Sequence, residues 1–307
     1  MKRILVLVFL FSSVAASAGA QQDHGTDAAS KEAAAAYKTK DWAKAATLYE
    51  QLGKQMTAPP PRVWLRLGVA KCYLGKYEEA LAAFDKAAHS GAGPFSEYGK
   101  ATVYAALNQP DRAFAFLDKA VQQGYADPDA LTTDTRLSAL AHDSRFAKIV
   151  EQAKKNQRPC AYTAENRQFD FWLGEWNVST TQGGIPAGNS RIELILKDCV
   201  VQENWQSLNG PYMGKSYNIY NAALKRWEQY WVGSTGGNIF FYGGLKGGVM
   251  DYSTDDMPQP DGTKLRRHLQ FFKLGPDNVR QLSRGSSDGG KTWQVEYDFT
   301  YVRKAKN

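Results

Sequence analysis

Apolar and polar positions along this chain follow two different periods. Up to about residue 155 the apolar positions recur every three or four residues, as in EEALAAFDKAA, Glu78 to Ala88. That is the spacing of one helix face. From about residue 165 they alternate with polar ones, as in RWEQYWV, Arg226 to Val232, which is the period of a strand. The change falls in KKNQRPCAYTAEN, Lys154 to Asn166, a polar stretch holding Pro159. It predicts a linker over 154–166 between a helical unit over 30–153 and a strand-rich unit over 167–303, followed by a short tail, 304–307.

Turn signals such as Gly183-Gly184, Gly236-Gly237, Gly247-Gly248, Asp261-Gly262 and Asp288-Gly289 punctuate the second unit. Between them the alternation predicts about ten strands: 175–180, 190–197, 199–207, 213–220, 226–232, 238–242, 249–253, 265–274, 279–284 and 293–302. The short loops imply consecutive antiparallel hairpins, which form either an up-and-down barrel or a sandwich. The lack of long crossovers favours the barrel.

The first twenty residues stand apart. Lys2 and Arg3 precede the apolar run Ile4 to Phe11, and small residues end in Ala18-Gly19-Ala20, the three regions of a secretory signal peptide. Cleavage is expected after Ala20, with Ala18 as the second choice, leaving 21–29 as a disordered start. The mature chain is then expected in the periplasm or outside the cell. No later run approaches the roughly 20 apolar residues that span a bilayer. Export permits a disulfide. A Cys160 to Cys199 bridge would close a loop of about 40 residues, worth on the order of 3–4 kcal/mol; the alternative is two unrelated buried thiols. Cys72, inside a helical pattern, reads as a small core residue. The net charge of +7 is spread over both halves with acids interleaved, which excludes the one-sided basic stripe of a nucleic-acid binder.

The helical half repeats. Trp64, Leu67 and Gly68 are followed by Ala80, Phe84 and Ala87. At a spacing of 33 residues come Ala113, Leu117 and Ala120, and an earlier partial copy is Trp42, Ala45 and Tyr49. W-x-x-L-G with A-x-x-x-F-x-x-A resembles the tetratricopeptide repeat over roughly 30–123, in three units, one of them incomplete. Lys71 stands where that family usually has an aromatic, and Ala92 where proline is common. Leu131, Leu137, Leu140, Phe146 and Ile149 are expected to cap the array. The resemblance implies a surface that docks a protein or peptide.

The strand-rich half opens with FDFWLGEWNV. Phe169 to Leu173 lacks alternation and predicts a helical turn, and Gly174-Glu175-Trp176 is similar to the G-x-W start of lipocalin-like (calycin) barrels. That resemblance implies Trp176 packing across the closed end against a late arginine, here Arg303. Together with E-N-W at Glu203 to Trp205, S-x-N-x-Y at Ser216 to Tyr220 and W-x-Q-x-W-V at Trp227 to Val232, the stretch resembles a family of secreted bacterial barrel domains sometimes joined to tetratricopeptide repeats. It brings no activity with it.

Motif matches for chemistry fail in context. GSSDGGKT, Gly285 to Thr292, fits a phosphate-binding loop and contains the G-x-S-x-G of a nucleophile elbow, yet a strand pattern follows it where both need a helix. Ser286, Asp288, Gly290, Thr292 and Trp293 instead read as an Asp-box hairpin. The four histidines are scattered, so no metal site and no cofactor are expected; His268, alone in its strand, reads as a surface or hydrogen-bonded residue rather than a haem ligand. The candidate site comes from alternation. Gln229 and Trp231 share a strand face with Trp227; Asn218 is expected opposite Gln229, and Glu203, Trp205 and Arg280 join from other strands. The expectation is an exported, non-catalytic binding protein, its barrel holding a small apolar or amphipathic ligand and its repeats a protein or peptide. The alternatives are a scaffold with a solid barrel, and a small hydrolase or isomerase using Glu203.

Overall fold

The structure is a computed structural model and describes residues 15–305. The charged and apolar parts of the expected signal peptide, Lys2 to Phe11, lie outside the described residues. Contacts divide the chain into two compact units, meeting between Gln157 and Arg158. Among the described residues no helix is long and apolar enough to cross a membrane.

The first unit is all-α: α1 (Ala15–Lys38), α2 (Trp42–Gln55), α3 (Pro61–Tyr73), α4 (Tyr77–His89), α5 (Pro94–Ala106), α6 (Pro110–Gln122), α7 (Pro128–Thr133), a 3-10 helix (Thr135–Leu140) and α8 (Ser144–Gln157). Proline opens α3, α5, α6 and α7 at a position where its missing N–H costs nothing. The stretch 21–29, expected to be disordered, is helical. It continues into an Ala-rich run that favours helix, and Ala33 and Ala36 of that run are fully or nearly buried in one cluster with Ala45, Tyr49 and Leu52 of α2. With α1 present, the first repeat is a complete helical hairpin, followed by α3 with α4 and α5 with α6.

Small residues set the distance between helices. The Phe84 ring fills the space a side chain would need at both Gly68 and Gly99: a Cβ there would lie 2.7 and 2.3 Å from it. Lys71, standing where the repeat family has an aromatic, is buried and paired with Glu79 and, at 3.2 Å, with Glu50. Leu131, Leu137, Leu140, Phe146 and Ile149 close the array against Ala113, Phe114, Leu117 and Ala120.

The expected linker resolves into two parts. Residues 154–157 finish α8, and the following residues form 3-10 turns (Pro159–Tyr162 and Glu165–Arg167) belonging to the second unit. A disulfide joins Cys160 to Cys199, 39 residues on.

The second unit contains strands β1 (Gly174–Thr180), β2 (Pro186–Ile195), β3 (Val200–Ser207), β4 (Met213–Asn221), β5 (Arg226–Gly233), β6 (Asn238–Lys246), β7 (Val249–Ser253), β8 (Met257–Pro258), β9 (Lys264–Lys273), β10 (Asn278–Ser286) and β11 (Gln294–Arg303). Each of β1 to β6 pairs antiparallel with the next; β7 pairs with β9, β9 with β10, β10 with β11, and β11 with β1. Among the described residues this is a closed up-and-down barrel of ten strands, with the two-residue β8 a spur on β9.

One end is solid. A 3-10 turn (Asp170–Trp172) leads into β1, and Phe169, Trp172 and Trp176 are fully buried with Val201, Trp227, Phe271 and Val279. The Trp176 indole N–H donates to the Trp172 carbonyl at 2.9 Å. Arg303 lies over the Trp176 ring at 4.2 Å and donates to the Leu173 carbonyl at 2.8 Å. Gly174, at φ +130°, lets the chain turn under that guanidinium; a Cβ there would lie 2.1 Å from Arg303 Nη1.

Candidate ligand-binding site

Inward residues of barrel strands alternate with outward ones, and here they change character along the barrel. Beside the apolar plug comes a buried polar belt: Ser190 on β2, Glu203 on β3, Ser216 and Asn218 on β4, Gln229 on β5 and Gln281 on β10. Beyond the belt the interior is aromatic again but not filled. A cavity of about 520 Å³ is lined there by Trp205, Trp231, Ile239, Phe241, Tyr297 and Phe299, with Glu203, Gln229, Gln281 and Tyr301 among its polar lining residues.

Two glycines make room for its indoles. A Cβ at Gly188 would lie 2.5 Å from the Trp205 ring, and one at Gly214 2.3 Å from the Trp231 ring. Gly188 stands two residues from Ser190, the register partner of Trp205, and Gly214 two residues from Ser216, the register partner of Trp231, so each indole leans over a glycine on the neighbouring strand.

The polar belt is a connected network. Ser190 donates to Glu203 Oε1 at 2.9 Å, and Ser216 donates to Oε2 at 3.2 Å. The Tyr301 hydroxyl lies 3.3 Å from Glu203 Oε1 and 2.6 Å from Gln281 Oε1. Its one proton serves either acceptor. Gln229 Nε2 donates to Asn218 Oδ1 at 2.7 Å, and Asn218 Nδ2 donates to the Val201 carbonyl and to Ser216. Glu203 is fully buried, and burial pushes its carboxyl up to about 7, against the pull of the three hydroxyls. Arg267 and Glu296 also line the cavity and pair at 2.9 Å, with Ser283 donating to the same carboxylate.

Four of the six residues expected in a ligand site, Glu203, Trp205, Gln229 and Trp231, line this cavity. Asn218 and Gln229 are register partners, as the hairpin reading expects, yet Asn218 does not line the space. It is wholly buried in the belt, its amide spent on Gln229, Ser216 and the β3 backbone. Arg280 is a correction. On β10 Gln281 and Ser283 line the cavity and Val279 joins the plug, so Arg280 has the opposite parity. Its guanidinium pairs with Asp298 at 2.7 and 2.8 Å, and lies 5.6 Å from the Phe272 ring.

Gln281, Tyr297, Phe299 and Tyr301 are lining residues that sequence reasoning missed. The alternation within VEYDFTYV carried that signal, since Tyr297, Phe299 and Tyr301 fall on one face of β11. His268 neighbours the buried Leu269 on β9, bonds Asp251 at 2.9 Å and meets Trp293 edge-on. Ser286 and Asp288 form a hairpin turn, Asp288 accepting from the Lys291 and Thr292 N–H groups. Among the described residues no group of three or more His, Cys, Asp or Glu is placed to hold a metal ion.

No family model matches the sequence, and no curated protein matches it. Solved structures are similar to part of the chain, two of them as follows. One is YrrB, described as a tetratricopeptide repeat protein with an unusual peptide-binding site, at 13% identity and a TM-score of 0.30 over 46% of this chain and 80% of that one. The other is MamA, at 13% identity and a TM-score of 0.32 over 50% of this chain and all of that one. At that level neither likeness bears on function, and the repeat reading stands on the helix pairs and motif residues above.

Proposed function

We propose that the protein is an exported, non-catalytic binding protein whose lipocalin-like barrel holds a small, largely apolar ligand and whose repeats dock a protein or peptide. The cavity carries this reading. Its volume of about 520 Å³ falls within the few hundred to roughly 1,000 Å³ usual for small-molecule sites, where a solid scaffold barrel would leave far less. Trp205, Trp231, Phe241 and Phe299 give it aromatic walls, and the belt fixes Glu203, Gln229 and Gln281 beside them, which is how such sites combine affinity with orientation.

For the repeats, the support is a run of aromatic and basic side chains. Tyr37 of α1 and Tyr49 of α2 flank Arg66 of α3, and Tyr73 of α3 stacks on Trp42 and lies under Arg136. Arginine against aromatic rings is a common anchor composition in protein interfaces.

Native mass spectrometry of the protein purified from its own host tests the ligand reading. Wild type is expected to carry a small molecule that a Trp231→Ala, Gln229→Ala double variant loses while keeping its far-UV spectrum. Equal retention by both proteins would place the ligand elsewhere and sink the assignment.

A further inference from the structure

We propose that the cavity accepts an organic cation: an amphipathic amine whose ammonium group pairs with Glu203 and whose apolar body lies among Trp205, Trp231, Phe241 and Phe299. This rests on reading the cavity as a ligand site and names the chemistry it selects.

The argument begins with charge. The cavity is lined by two carboxylates and one guanidinium, and Arg267 is already engaged with Glu296 at 2.9 Å. Glu203 is therefore left without a cation. The groups that face it are Ser190 from β2, Ser216 from β4, and Tyr301 from β11 with Gln281 of β10 beyond it. Tyr297 stands near enough for its ionisation to be opposed by Glu203, and burial raises both tyrosines well above the ordinary phenol range, so neither supplies nor removes charge at neutral pH.

An anionic ligand, such as a fatty acid or a phosphate ester, would meet Glu203 head-on or have to break the Arg267 pair. A neutral ligand needs no carboxylate. A glutamine at position 203 would offer the same shape and hydrogen-bonding reach without burying an ionisable group, whose cost falls on folding. Glu203 is solvated by two serine hydroxyls, as a carboxylate requires, yet lacks the countercharge that a buried carboxylate also requires. A ligand ammonium supplies it. The aromatic walls reinforce the choice, because indole and phenyl faces attract cations and do so more strongly when water is excluded.

Three soluble probes of one skeleton separate the possibilities: phenylbutylamine, phenylbutanol and phenylbutanoate, titrated by isothermal calorimetry into the full-length protein. At pH 8 the amine is expected to bind at least tenfold more tightly than the alcohol, a difference of about 1.4 kcal/mol, and the acid more weakly than either. Lowering the pH to 6 protonates Glu203 and is expected to weaken the amine by about tenfold while leaving the alcohol unchanged. Glu203→Gln is expected to abolish both the amine preference and its pH dependence. Equal binding of amine and alcohol to wild type, or tighter binding of the acid, overturns the cation assignment and leaves the ligand site standing. Failure of all three probes to bind counts against the ligand site itself and takes the inference with it.

Discussion

At the scale of single residues, the barrel's interior is governed by two kinds of exception. One is the buried acid. Glu203 holds its proton up to about 7 in the folded barrel, while in the unfolded chain it titrates near 4.5. A raised carboxyl contributes stability that is complete below the unfolded value and is lost as pH rises toward the folded one. The unfolding free energy of the wild type should therefore fall between about pH 4.5 and 7, by on the order of 3 kcal/mol, and level off above. Glu203→Gln should lack that fall in denaturant titrations across this range. An identical pH profile for the two proteins would show that Glu203 titrates normally in the barrel.

The other exception is the missing side chain. Gly214 leaves the volume that the Trp231 ring occupies, so Gly214→Ala must displace the indole or the neighbouring Val232 carbonyl. The expected result is a shifted tryptophan emission and at least tenfold weaker ligand binding in a barrel that still folds. Glu203, Trp205, Gln229 and Trp231 were legible in the sequence because a period of two states which residues share a face. The need for Gly188 and Gly214 beneath the indoles was not, since nothing in the chain says which strands will be neighbours at which register.

At the scale of elements, strand order and pairing followed from short loops and alternation, and Asn218 lies opposite Gln229 and Tyr220 opposite Trp227 as that reading requires. Arg280 failed for a reason of the same kind. Parity along β10 sets Val279 and Gln281 inward, and VRQ gives no sign of which parity wins until the partner strands are known. The helical start failed differently: residues 21–29 look polar alone, and their helix is a continuation of the buried Ala33 and Ala36.

The turn between β2 and β3 shows how a locally unfavourable element is held. Leu196, Lys197 and Asp198 all have positive φ, a region that side chains disfavour. Asp198 is gripped by Arg158, its carbonyl accepts from Arg167 at 2.6 Å, and the next residue, Cys199, is bonded to Cys160. Removing the disulfide frees both the loop and this turn. Cys160→Ser with Cys199→Ser is expected to lower the barrel's stability by about 3–4 kcal/mol in chemical denaturation. A loss under about 1 kcal/mol would mean that the arginine contacts alone hold the turn.

At the scale of the whole molecule, the division between Gln157 and Arg158 has a direct thermodynamic consequence. Each unit has its own apolar clusters, the helical one built on Ala45, Trp64, Phe84 and Leu117, and the barrel on Trp172, Trp176, Trp227 and Phe271. Every residue lining the cavity lies between Thr180 and Tyr301, and the plug that supports it begins at Phe169. The disulfide lies wholly within the second unit as well. Calorimetry of the intact protein should accordingly show two transitions. A bound ligand should raise one of them, and disulfide removal should lower that same one by roughly 10 °C. A fragment spanning 158–307 should reproduce that transition and the ligand affinity of the full chain within about threefold, the latitude expected when a removed unit contributes no lining residue. A single cooperative transition, or a fragment that folds but has lost the ligand, would mean that the helical unit completes the site, and the assignment of binding to the barrel alone would have to be given up.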